Sequence, residues 1–280
     1  MRKRHTLGAT LRGHWSLWVH SPRTVIALAF VVMMTSMFTR AQHLLYEASG
    51  YALHLGEMVY ASVNQGFHLL NTSIGFLVMI SEIPKRISWQ KYALIRQSRG
   101  QWLTSLVVFS AIISALFLAA MLLSATLCSA PYAAPGGGWS DLERLAADPD
   151  YVYEVQFAPA YIRVLSPLAA CALAAAVQLG YYMTLTLTVL AFALFDCGNV
   201  GVMICVLLVT SHITLLAELF PGIVLPGLYA TLSNIASQAY GDEIGAALRT
   251  LGGYGAVMAA LIAVMAARVQ RMDLRFEGRE

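Results

Sequence analysis

Charge is scarce in this chain. Only 12% of its 280 residues are Asp, Glu, Lys or Arg, where a soluble domain carries about a quarter, while 58% are hydrophobic and the mean hydropathy is +0.65. One water-facing core cannot hide such a surplus. A helix of roughly 20 apolar residues crosses ~30 Å of hydrocarbon, and several such runs follow one another here, separated by short polar patches. Lipid is the natural solvent for them. Paired cysteines are lacking too: Cys128, Cys171, Cys197 and Cys205 lie in or beside apolar runs and form no C-x-x-C pair, so neither a zinc site nor a disulfide framework is indicated and buried thiols are the better reading. Lysine is limited to Lys3, Lys85 and Lys91, none preceded by glycine, so the chain has no phosphate loop of its own. H-E-x-x-H and G-x-S-x-G are also missing. No catalytic residue, no metal site and no cofactor on this chain are expected, and a net charge of +3 gives no reason to expect a nucleic-acid partner.

What is present reads as an all-α polytopic membrane protein, a single transmembrane domain over residues 1–280 with six spans. Leu7, Leu11, Trp15 and Trp18 recur at helical spacing, predicting an amphipathic helix that lies in the membrane interface within a cytoplasmic segment 1–22. The basic start, Met1 to Arg4, has no small-residue cleavage site after it and reads as retained. The spans are expected at about 23–45, 61–80, 102–127, 164–195, 200–219 and 251–267. Only Asp196 to Asn199 joins the fourth and fifth, which forces an antiparallel hairpin. The loop 128–163 is long enough to carry internal order, and Ser140 with Glu143 predicts a short capped helix over 141–147. Residues 220–249 are broken by Pro221, Gly222, Pro226 and Gly227 yet stay apolar from Ile223 to Leu232. That combination fits re-entrant helices before the last span.

Lys and Arg divide unevenly between the two faces such a chain would have. The start of the chain, the loop 81–100, the Asp196 turn and the tail 268–280 hold fourteen of them, and the opposite face holds only Arg40, Arg144, Arg163 and Arg249. The basic face is the cytoplasmic one. Both termini then lie in the cytoplasm and the number of spans is even.

The most informative stretch is SEIPKRISWQKYALIRQSR, residues 81–99. Pro84 ends a span, Ser88 can cap a short helix, and aromatic residues stand among five basic ones. This stretch resembles the cytoplasmic loop after the second span in the permease subunits of bacterial ABC exporters of the type-2 class, and the order of elements along the chain resembles theirs as well. The resemblance implies a multi-pass protein of the bacterial cytoplasmic membrane that exports an amphipathic or hydrophobic solute, such as a peptide, antimicrobial or drug-like molecule. It implies a second permease, identical or sister, and a separate ATP-binding-cassette subunit that carries the ATP and Mg. It places Lys85, Arg86, Trp89, Lys91, Tyr92 and Arg96 near the contact with that ATPase. Read without the resemblance, the same basic residues could simply hold anionic headgroups.

Polar groups inside the spans are costly against lipid and should face protein or water. Asn64, His68, Asn71 and Gly75 recur at i, i+4, i+7 and i+11 and predict one polar stripe. With Gln178, His212 and Glu218 these side chains are candidates to line a translocation path, or else to glue helices together by hydrogen bonds. Arg40 and Glu57 are placed to pair near the outer ends of spans one and two. Two rivals stand beside the exporter: an ion-coupled carrier relying on His212 or Glu218, and a non-transporting scaffold or sensor whose Pro131 to Arg163 loop binds a ligand.

Overall fold

Helices follow the apolar runs. The computed structural model describes residues 7–49, 53–83, 98–140, 159–210, 226–237, 239 and 241–271. Helix α1 covers Leu7–Val19, the stretch that the apolar spacing marks. It buries His14 and Trp18 and leaves Trp15, Leu17 and Val19 exposed. Pro22 opens α2, Pro22–Ser49, where a missing N–H costs nothing. Next come α3, Leu55–Val63, and α4, Gly66–Ile80. Helix α5, Arg99–Ser129, is capped by the Ser98 hydroxyl, which accepts from Gln101 N. Then follow α6, Pro159–Val164, and α7, Pro167–Leu194, the latter capped by Ser166 with Pro167 in its first turn. Helix α8 is Gly198–Thr210, and a 3₁₀ turn at Pro226–Ala230 leads to the short α9, Leu232–Ser237. Helix α10, Glu243–Arg271, starts where the Asp242 carboxylate accepts from Gly245 N, an N-cap.

Among the described residues, four helices are long and apolar enough to cross a membrane: α2 (through Arg40), α5, α7 and α10. Helices α4 and α8 are apolar but shorter. No strand forms among those residues beyond a single bridge between His54 and Ala134. The outward faces of α2 (Val25, Ile26, Val32, Met33, Met37) and α8 (Val200, Met203, Val206, Leu207) are bulky and apolar, as suits lipid contact. Between helices, Phe76, Phe117 and Tyr182 pack with ring centroids 4.6 to 5.3 Å apart, each pair adding about 0.5–1.5 kcal/mol beyond its buried area.

Three expectations need correction. The second apolar run is not one helix from 61 to 80: it breaks at Asn64 and Gln65, whose ψ of 128° is extended. The fourth begins at Pro167 after a separate α6, because Ser166 and Pro167 start a new helix. The last helix begins at Glu243, inside the interval 220–249 expected to be re-entrant, since the Asp242 cap outweighs the glycines that follow. The helix expected at 141–147 lies outside the described residues.

Side-chain contacts gather the helix ends into two groups. At one end Ser21 and Arg23, at the start of α2, meet Ser81 and Glu82, at the end of α4. Arg99, starting α5, donates to Gln270 O near the end of α10. Arg268 donates to Leu194 O at the end of α7 (3.2 Å) and lies over the Phe195 ring. Helix α1 packs on the same end of α5 through His14 and Ser105, 3.3 Å apart. At the other end, Glu57 and His54 hold Ser140 and Gly138, Trp139 donates to Leu165 O at 2.6 Å, and Tyr161 donates to Glu243 O at 3.0 Å. Arg12, Arg23, Arg99, Arg268 and Arg271 fall at the first end; Arg40, Arg163 and Arg249 fall toward the second. Helices α7 and α10 therefore run parallel, with Gly180 against Tyr254 partway along.

Candidate functional site

An α-helix that breaks inside an apolar bundle frees backbone groups that lipid cannot satisfy. Here α3 stops at Val63 and α4 resumes at Gly66. The carbonyl of Val63 takes a hydrogen bond from Gln178 Nε2 on α7 at 2.7 Å. Asn64 works in three directions: its Nδ2 donates to Ser233 Oγ at 2.8 Å and to Tyr60 OH at 3.1 Å, and its Oδ1 accepts from Leu232 N at 2.7 Å. That last bond satisfies one of the orphan amides at the start of α9. Above the break, Thr39 Oγ1 donates to Ser62 Oγ at 3.1 Å.

The depth follows from counting residues. Gln178 is the twelfth of the 28 residues in α7, about 17 Å along its axis, and the 15 residues of α4 extend about 22 Å from the break toward the basic end. The break therefore sits near mid-height, and the start of α9 reaches it there.

One turn beyond the break, His68 is wholly buried. Its Nε2 lies 3.0 Å from Thr35 Oγ1 on α2, and its ring meets Phe38 edge-on at 5.2 Å. Among the described residues, His68 Nδ1 and Gln178 Oε1 are buried without a hydrogen-bond partner. Below them Thr72 Oγ1 lies 3.3 Å from Tyr182 OH. Gly75 lets α2 come close: a Cβ there would stand 2.8 Å from Phe30 Cδ1.

Asn64, His68 and Gln178 thus gather around the broken helix. Asn71 does not join them: it is half-buried, and its Nδ2 turns back to Phe67 O at 2.8 Å. The break at 64–65 separates Asn64 from the phase that His68, Asn71 and Gly75 share on α4. His212 and Glu218 lie outside the described residues, as do Lys85, Arg86, Trp89, Lys91, Tyr92 and Arg96.

The expected pairing of Arg40 with Glu57 is replaced by another arrangement. Glu57 is wholly buried. It accepts from His54 N at 2.8 Å and from Ser140 N, while His54 Nδ1 lies 2.6 Å from Gly138 O. Two backbone amides point into this carboxylate where a guanidinium had been expected. The sequence carried a signal for this, since His54 and Glu57 have the i, i+3 spacing of a reciprocal helix cap; His in the capping position disguised it. No sequence signal pointed to Ser233 or Leu232, which reach Asn64 from far along the chain.

Among the described residues, no group of three His, Cys, Asp or Glu side chains could hold a metal ion. No family model, no curated protein and no solved structure matches this chain. Its function must therefore be argued from its own geometry.

Proposed function

We propose that the chain is the membrane-spanning permease subunit of an ATP-driven exporter, with six crossings: α2, the broken pair α3 and α4, α5, α7, α8 and α10. The observation that carries this reading is the parallel course of α7 and α10, fixed by Tyr161 on Glu243 O at one end and Arg268 on Leu194 O at the other. A chain that leaves α7 through the antiparallel α8 and then enters α10 parallel to α7 makes no net crossing between Thr210 and Glu243. The 3₁₀ turn and α9 then belong to a re-entrant excursion whose tip meets the broken helix at Asn64. Discontinuous helices meeting near the membrane midplane are how transporters build polar sites away from water.

The basic end of the bundle supports a cytoplasmic placement for both termini and, since Ile83 and Ser98 flank it at that end, for the segment 84–97 proposed to dock a nucleotide-hydrolysing partner. ATP and Mg belong to that partner, an ATP-binding-cassette subunit, and a second permease completes the pathway. The cargo class proposed is an amphipathic or hydrophobic solute, since the buried groups at the break are uncharged amides, hydroxyls and one imidazole. The test is to purify the tagged chain from its native membranes and probe the preparation for an ATP-binding-cassette ATPase. The reading expects the ATPase to co-purify and Trp89→Ala to lower its activity. An ATPase that neither binds nor responds would refute it.

One observation favours an ion-coupled carrier instead: His68 is buried at mid-height with Nδ1 unpartnered among the described residues. An intramembrane ionisable group is a natural proton site. That reading expects flux driven by a proton gradient without nucleotide and abolished by His68→Gln.

A further inference from the structure

Helix α4 is held at both ends. Its upper end is the polar break at Asn64. Its lower end is tied to α2 by four side chains: Ser21 Oγ donates to Glu82 Oε2 at 2.6 Å, Arg23 Nη1 donates to Ser81 Oγ at 2.9 Å, and Arg23 Nε lies 3.5 Å from Glu82 Oε1. Ser81 is the C-cap of α4 and also bonds back to Val78 O at 2.8 Å. Ser21 is the residue on which α1 gives way to α2, and it is buried, 4% exposed. Between the two ends, α2 and α4 are in register at Phe30 with Gly75 and at Thr35 with His68. Two helices joined at three heights, one of the joints a close approach at glycine, resist sliding past one another.

We infer that Glu82 is a positioning residue that makes α2 and α4 shift as one body: a displacement of the chain just after Ile83 reaches α2, and the foot of α1, through Glu82, Ser21 and Arg23. This rests on the permease reading, in which a partner subunit moves the segment that begins at residue 84. It adds the route by which that movement enters the bundle. The geometry suits the task because one oxygen of Glu82 accepts from Ser21 while the other pairs with Arg23, and because Arg23 also donates to the helix cap Ser81. A clamp of this kind has a definite failure mode. Once Glu82 is truncated, α4 still follows the segment after Ile83, while α2 loses both ties to the carboxylate and keeps the Arg23–Ser81 bond at that end, with the Thr35–His68 bond and the apolar contacts higher up.

Amide hydrogen exchange followed by mass spectrometry tests this in the full complex with its ATPase in lipid nanodiscs, with and without Mg·ATP and vanadate. The reporting amides are those of Thr24 and Val25, which bond Ser21 O at 3.1 and 3.3 Å, and those at 79–83. In the wild type, trapping with vanadate is expected to change exchange at both places together. In Glu82→Ala the response at 79–83 persists while that at 22–27 falls about fivefold, the factor that losing an ion pair of ~1 kcal/mol gives. Glu82→Gln, which keeps an acceptor for Ser21, falls between the two, and exchanging the charges with Arg23→Glu and Glu82→Arg restores the joint response. Unchanged protection across 168–190 shows that the variants are folded. A full response at 22–27 in Glu82→Ala overturns the inference and leaves the permease reading standing. A wild type that binds no ATPase, or shows no nucleotide response anywhere, overturns the permease reading and the clamp's proposed role with it.

Discussion

Lowering the pH is expected to loosen α1 from the bundle. His14 is 4% exposed, with Nε2 3.3 Å from Ser105 Oγ and its ring stacked on Phe109 at 5.3 Å. Helix α1 packs on the basic end of α5, where this histidine comes within reach of solvent protons once α1 lifts. Burial lowers its pKa from 6.5 to about 4. A histidine held neutral in this way contributes stability that is fully present above pH 6.5 and is lost as the pH falls toward 4. At about pH 5 the loss is about 2 kcal/mol, a roughly thirtyfold rise in the population of undocked α1; the full difference in pKa corresponds to about 3 kcal/mol. Hydrogen exchange over residues 8–20, corrected for the intrinsic pH dependence of amide exchange, reads this directly. His14→Phe keeps the stacking on Phe109, removes the titration and should flatten the profile between pH 4 and 6.5. Equal protection of wild-type α1 at pH 7.5 and pH 4.5, or an unchanged pH profile in His14→Phe, would refute the reasoning.

Other outcomes follow from the same geometry. Gln178→Leu strands Val63 O inside the bundle and should cost about 1–3 kcal/mol, read as a lower thermal midpoint in detergent, whereas Asn71→Leu, at a residue whose bond is local to its own helix, should cost little. Gly75→Val drives a branched side chain into Phe30 and should cost about 1–3 kcal/mol, with faster exchange where α2 crosses α4. Glu57→Leu removes the acceptor for two amides and should free the 134–140 strand of the chain, which limited proteolysis near Gly137 would detect.

Much of the bundle was legible because hydrophobic runs and caps are local. Helix α1 ends where its stripe ends, α5 contains the run expected at 102–127 and extends it back to Arg99 under the Ser98 cap, and the Asp196 turn folds back α8, with Gly201 packed against Phe192. What escaped was set by distance. Asn64, Gln65 and Gly66 sit inside an apolar window, and a helix can run through such residues; it breaks here because Gln178, Leu232 and Ser233 are in place to satisfy what the break exposes. The start of α10 was misplaced for the opposite reason. The span was expected only from 251, after an interval broken by Pro221, Gly222, Pro226 and Gly227, but the aspartate cap at Asp242 and the favourable acid Glu243 in the first turn start the helix about two turns earlier. Glu57 looked like half of an ion pair because Arg40 was the nearest cation by sequence. Its partners are backbone amides: that of His54 was legible only as a cap disguised by its histidine, and that of Ser140 lies too far along the chain for any local pattern.

The account depends most directly on the basic end of the bundle facing the cytoplasm with an even number of crossings. Membrane-impermeant maleimide labelling of Gly278→Cys and Gly137→Cys, each in a Cys197→Ser background and compared in intact cells and opened vesicles, tests it. The account predicts that Gly278→Cys is protected in intact cells and reacts only after the membrane is opened, while Gly137→Cys reacts from outside. Labelling of Gly278→Cys in intact cells would put the basic end of the bundle and the tail outside and contradict the exporter architecture.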